Sequence, residues 1–123
     1  MMLRVGVDLI EVARIQQALE RHGERFYARF FTPLEQEQCR DNAASLAARF
    51  AAKEATAKAL GTGIGDVRWV EIEVQSDERK RPYLVLYGRA AELAAEIGLH
   101  TWDVSLSHTR DHAIAFVVAL GSG

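Results

Sequence analysis

Two carboxylates far apart in the chain, Asp8 and Glu54, are the residues whose types could do chemistry together. Asp8 closes an apolar run. Glu54 lies in Arg49-Phe50-Ala51-Ala52-Lys53-Glu54-Ala55, with Lys58 one helical turn beyond it. Magnesium typically takes one or two protein carboxylates and completes its shell with water and substrate phosphate. Lysines nearby would neutralise the same phosphates. Plainer readings exist. Asp8 suits a turn or helix N-cap, and Glu54 with Lys58 could be a surface ion pair worth about 0.2–0.5 kcal/mol. Lys53 weighs against the surface reading. Leu46, Phe50, Lys53, Ala57 and Leu60 share one helical stripe, so a charge interrupts an apolar face. A local rule broken without visible compensation points to function. The alanines around Glu54 and Lys58 would let another body approach them closely.

Other motifs carry less. Gly61-Thr62-Gly63-Ile64-Gly65 matches neither the P-loop nor the dinucleotide fingerprint. A helix cap followed by a turn is its better bare reading, with a backbone pocket for phosphate as the other. Ser105-Leu106-Ser107-His108-Thr109 offers no Ser–His–Asp arrangement, because Asp103 shares the strand and nothing orients it. Cys39 and the histidines His22, His100, His108 and His112 lack zinc-ligand spacing. Arg14, Ala18, Arg21 and Arg25 form a stripe. Such a stripe is a solvated face, or a local positive patch suited to an acidic helical partner.

The elements that must position these residues follow from pattern. Leu3–Leu9 reads as a strand ending at Asp8. Val12, Ile15, Leu19 and Phe26 recur at helical spacing, if the helix continues through Gly23. Thr32-Pro33-Leu34-Glu35 opens a short helix to about Arg40, with a capping box and proline at its first position. The alanine-rich span from Asn42 to Leu60 is a helix capped by Asn42 and ended by Gly61. Val67–Val74 and Tyr83–Tyr87 alternate as a hairpin around a polar turn. Arg89–Ile97 is a helix ended by Gly98. Thr101–Ser107 and Ala113–Leu120 are two further strands. Short connections favour antiparallel neighbours, so the expected class is α+β.

The 123 residues suit a single domain spanning 1–123. At 49% hydrophobic and 26% charged, with a net charge of −2, the composition is that of a globular chain and gives no sign of nucleic-acid binding. The lone Cys39 permits no intrachain disulfide and suits a reducing compartment. Met1–Ile10 does not read as a signal peptide, and no window nears the roughly 18 apolar residues of a membrane helix. A cytoplasmic location is expected. The unbroken apolar strand Ala113–Leu120 wants cover on both faces, which a domain this small cannot supply alone.

Three segments taken in order change the weights. Val5-Gly6-Val7-Asp8-Leu9-Ile10, the block from Arg49 through Gly65, and Ser105–Thr109 together resemble the bacterial holo-acyl-carrier-protein synthases, the small class of phosphopantetheinyl transferases. The resemblance spans essentially the whole chain and implies the family's α+β fold. It implies that Asp8 and Glu54 are magnesium ligands and that Lys58 contacts the pyrophosphate of coenzyme A. It puts His108 and Thr109 in the coenzyme A site, with Gly61, Gly63 and Gly65 nearby and Arg49 toward the 3′-phosphate. Arg14 matches a position that touches the acidic helix of an apo-acyl carrier protein, and Arg21 and Arg25 extend that face. It further implies a homotrimer with sites at subunit boundaries, acting in fatty acid synthesis. The serine proton would go to Glu54 or to a metal-held water, and Lys53 has no single assigned role. Two rivals remain: a magnesium-dependent phosphohydrolase of nucleotides or coenzyme A, and a non-enzymatic module binding acidic helices.

Overall fold

A computed structural model of the chain describes residues 1–62 and 65–122. Strand β1 spans Met2–Glu11, followed by helices α1 (Val12–His22), α2 (Glu24–Phe30), α3 (Pro33–Cys39) and α4 (Ala43–Ala59). A 3-10 turn at Trp69–Glu71 leads into β2 (Ile72–Ser76) and β3 (Pro82–Leu86). Helix α5 (Gly88–Ile97) and strands β4 (Leu99–His108) and β5 (His112–Gly121) complete the chain. The strands form an antiparallel sheet ordered β1-β5-β4 and a separate β2-β3 hairpin. The expected α+β class is therefore the observed one.

Strand β1 runs past Asp8, because it pairs with β5 along its whole length, from Met2 opposite Gly121 to Glu11 opposite His112. Asp8 is thus inside a strand rather than at its end. Alternation turns Gly6, Asp8 and Ile10 to the face covered by α4, with Ala113, Ala115 and Val117 of β5 beside them. The alanines of α4 lie on this face: Ala47, Ala51, Ala55 and Ala59 are buried with those β5 residues in one core. The body that their small size admits is the chain's own sheet. At Gly6 the approach is closest, since a Cβ there would fall 1.8 Å from the carbonyl oxygen of Ala55.

The opposite face of the sheet is open. Leu3, Val5, Val7 and Leu9 of β1 and Ile114, Phe116 and Leu120 of β5 are exposed, with Leu9 at 63% and Phe116 at 45%. The apolar run of β5 thus covers one face of the core and leaves the other to solvent in a single chain.

Two further element boundaries differ from expectation. The first long helix breaks at Gly23, whose φ of 51° and ψ of −124° fit no helix. Arg25 and Phe26 therefore belong to α2, away from the stripe of Arg14 and Arg21. The strand expected over Val67–Val74 begins only at Ile72, because Trp69–Glu71 is held as a 3-10 turn. Lys53 Nζ donates to the carbonyls of Trp69 (3.1 Å) and Ile72 (2.6 Å), and Trp69 stacks on Phe50 at 4.5 Å.

Those bonds explain Lys53. Its ammonium meets Glu35 Oε1 at 2.7 Å, and both side chains are wholly buried. Glu35 is the third residue of the α3 capping box: it accepts from the Thr32 amide at 2.9 Å, while its own amide donates to Thr32 Oγ1 at 3.2 Å. Its second oxygen accepts from the Val74 amide at 2.8 Å. Burial lowers the proton affinity of Lys53, and Glu35 opposes that shift. The charge on the apolar stripe is compensated after all, by a structural ion pair that ties α4, α3 and β2 together. Lys53→Met would leave the Glu35 carboxylate buried without its cation. Urea unfolding should then show a loss of about 3–5 kcal/mol; a change under about 1 kcal/mol would contradict the anchoring role.

Candidate active site

The contact of β1 with α4 brings the distant carboxylates together. Asp8 and Glu54 line one cleft of about 460 Å³, with Lys58, Arg14 and the rings of Phe26, Phe30 and Phe50. Lys58 Nζ pairs with Asp8 Oδ1 at 3.3 Å and donates to the Val7 carbonyl at 2.9 Å. Its ion-pair partner is thus on the neighbouring strand and not Glu54, the partner that the plainer surface-pair reading would have given it. Burial raises the proton affinity of Glu54, the nearby charge of Asp8 raises it further, and Lys58 opposes both. A carboxylate whose ionised form is disfavoured by a second one beside it suits a hard divalent cation, which would relieve that repulsion. Among the described residues no group of three or more His, Cys, Asp or Glu stands ready to hold a metal. A two-carboxylate set fits magnesium, which keeps water and substrate oxygens, and does not fit a structural zinc cage.

The aromatic wall escaped the sequence reading. Phe30 lies 5.4 Å from Phe50 and 4.9 Å from Trp69, ring centre to ring centre. Phe50 sits inside the motif block and could have been marked there. Trp69 carried no local signal, because tertiary contacts with Lys53 and Phe50 bring its turn to α4.

The remaining candidates stand elsewhere. Five positions separate Arg49 from Glu54, roughly 140° around a helix, and Arg49 lines a second cleft, also of about 460 Å³. His108 joins it there, with Ser45, Ser76, Lys80 and Arg81, four residues that sequence patterns did not single out. Thr109 is exposed in the β4–β5 turn, where its hydroxyl accepts from the His112 amide at 3.2 Å. Gly61 and Gly65 follow α4 with φ of 78° and 139° and line neither cleft; Gly63 lies outside the described residues. Asp103 pairs with Arg81 at 3.2 Å. Arg14, Arg21 and Arg25 are exposed, and among the described residues none forms a salt bridge. Arg25, on α2, lines a smaller groove with His22 and Arg29 that includes neither Arg14 nor Arg21.

An α+β fold that sets paired carboxylates and a lysine at one cleft is suited to a transferase of phosphate-bearing groups. Residues 4–117 match the family model described as the 4′-phosphopantetheinyl transferase superfamily. The chain is 54% identical to a holo-[acyl-carrier-protein] synthase of Herpetosiphon aurantiacus, over 98% of this chain and the whole of that protein. Its fold is similar to the Helicobacter pylori holo-[acyl-carrier-protein] synthase in complex with coenzyme A, with a TM-score of 0.87, 32% identity and coverage of 94% and 99% of the two chains. A Chronobacterium ammoniagenes complex with coenzyme A aligns with a TM-score of 0.89, 30% identity and full coverage of both. The chain belongs to the 4′-phosphopantetheinyl transferase superfamily, in its holo-[acyl-carrier-protein] synthase branch.

Because no side chain fits at position 6, Gly6→Ala should push β1 off α4 and part Asp8 from Glu54. The expected cost is about 1–3 kcal/mol, seen as a lower urea midpoint, with activity lost even where the fold persists. Unchanged stability and activity would show that the contact is not needed.

Proposed function

We propose that this enzyme transfers the 4′-phosphopantetheine group of coenzyme A to a serine of an apo-acyl carrier protein, releasing 3′,5′-ADP. The convergence of Asp8, Glu54 and Lys58 on one cleft carries the reading. The serine oxygen forms a bond to the β-phosphorus, and the bond from that phosphorus to the oxygen shared with 3′,5′-ADP breaks. Phosphoryl transfer asks for positioning and charge neutralisation more than covalent help. Asp8 and Glu54 would hold magnesium, which when bound draws charge from pyrophosphate oxygens. Lys58, reaching across from α4, would neutralise the departing phosphate. The serine proton would go to Glu54 or to a water held in the same cleft. The carrier supplies the nucleophile, so no serine of this chain is required.

Arg14, Arg21 and Arg25, exposed and without a salt bridge among the described residues, favour a docked acidic partner over simple hydrolysis. The synthase relatives lend the phosphohydrolase alternative no support. Activation of a carrier protein would serve fatty acid synthesis in the cytoplasm. No helix among the described residues is long and apolar enough to cross a membrane.

The open apolar sheet face supports a closed oligomer, and the family resemblance favours three subunits. The separation of the two clefts supports the same assembly. Coenzyme A would lie with its pyrophosphate at Asp8, Glu54 and Lys58 of one subunit and its 3′-phosphate at Arg49 and His108 of the neighbouring one.

Mixing the enzyme with coenzyme A, magnesium and apo-carrier should add the mass of the phosphopantetheine arm to the carrier; release of free phosphopantetheine without carrier would point to hydrolysis. Asp8→Ala or Glu54→Ala should slow transfer about a thousandfold, the size of several kcal/mol of lost charge stabilisation. Chelation should do the same, reversed by magnesium. Arg14→Glu with Arg21→Glu should raise the carrier KM, leave the coenzyme A KM alone and remove much of the salt dependence of carrier binding. Phe116→Asp should lower assembly and activity together in light scattering and turnover assays; a fully active monomer would refute the ring.

A further inference from the structure

Arg49 is 6% exposed, yet among the described residues its guanidinium has no carboxylate within ion-pair distance. A buried charge normally has a counter-ion, since leaving water is costly. The partners of Arg49 are all neutral. Nη1 donates to Cys39 Sγ, and Nη2 donates to Gln38 Oε1 at 3.1 Å and Ser76 Oγ at 3.0 Å. Cys39 is itself buried among apolar neighbours, and burial raises its thiol pKa, so it stays uncharged. Three of the five guanidinium N–H groups are thereby occupied and the side chain's orientation is set from α3 and β2. The other charged groups of the cleft do not neutralise it: Lys80 and Arg81 are cations, and Asp103 is engaged by Arg81 at 3.2 Å.

We propose that Gln38, Cys39 and Ser76 are positioning residues that hold Arg49 rigidly but uncompensated, so that its charge is reserved for the 3′-phosphate of coenzyme A. The consequence is specificity. The cradle makes the enzyme discriminate between coenzyme A and its 3′-dephospho form, which is otherwise the same substrate at the reacting phosphorus. A carboxylate in the cradle would satisfy Arg49 internally and abolish the discrimination without touching the reaction centre. This inference rests on the reading that places the 3′-phosphate at Arg49.

The test compares kcat and KM for coenzyme A and 3′-dephospho-coenzyme A in the full-length enzyme with magnesium and apo-carrier. Gln38 is exposed, and Gln38→Glu changes one atom of its amide, so folding is not at risk. Ser76→Asp places a carboxylate on the same nitrogen from β2. Each variant should raise the KM for coenzyme A about tenfold, the size of one lost charge-assisted bond. Neither should change kcat or the KM for the dephospho substrate. Equal losses with both substrates, or no loss with coenzyme A, would overturn the cradle. Arg49→Ala separates the two readings. If it abolishes the discrimination while the cradle variants leave it intact, only the cradle fails. If it leaves the preference for coenzyme A unchanged, the 3′-phosphate does not sit at Arg49 and both fail.

Discussion

The contact between the backbones of β1 and α4 is the constraint from which the site follows. At Gly6 the strand lies so close to the Ala55 carbonyl that no β-carbon fits between them. Two residues along the strand is Asp8, on the same face; one residue back along the helix is Glu54. With the backbones in contact, two short carboxylates can face one cleft without long, flexible side chains to span the gap. Closely packed interiors transmit small displacements, so the geometry of the two acids is only as well defined as that contact. The alanines of α4 and the small residues Ala113 and Ala115 of β5 extend it along the helix.

A second constraint keeps α4 in place from its other side. Lys53, the residue before Glu54, turns inward to Glu35 and to the carbonyls of Trp69 and Ile72. A buried ion pair of this kind is a weak source of net stability, because desolvation offsets much of its attraction. Its effect here is geometric. It seats the Trp69–Glu71 turn on the helix, and Trp69 then backs the Phe30 and Phe50 rings that wall the cleft. Successive residues of one helix therefore serve the core, through Lys53, and the cleft, through Glu54.

The helix also divides the chemistry. Carboxylates and Lys58 stand on one side of α4 and Arg49 with His108 on the other. A single chain thus presents two separate clefts and an apolar sheet face without cover. These two features belong together: whatever covers the sheet also decides which surfaces meet the clefts. The proposed ring is the arrangement in which both are completed by the same neighbour.

Much of this was legible in local pattern. The capping box of Thr32 and Glu35, the Asn42 cap, the alanine-rich helix and the last two strands depend on neighbours in sequence, and they form where those neighbours predict. The motif residues Asp8, Glu54 and Lys58 could be named, but their meeting could not be read from spacing, because it depends on a strand and a helix packing across the fold. The meaning of Lys53 was misread for the same reason: its compensating Glu35 lies in another helix. Trp69, Ser76 and Arg81 had no local signal at all, and the glycine at position 23 marked a point where the helix could break, which its backbone angles decided. The sequence by itself determined the elements and the chemical types of the site residues, since both are set within a few residues of chain. Only the tertiary structure decided which of those residues share a cleft, because that depends on contacts between segments with no fixed spacing along the chain.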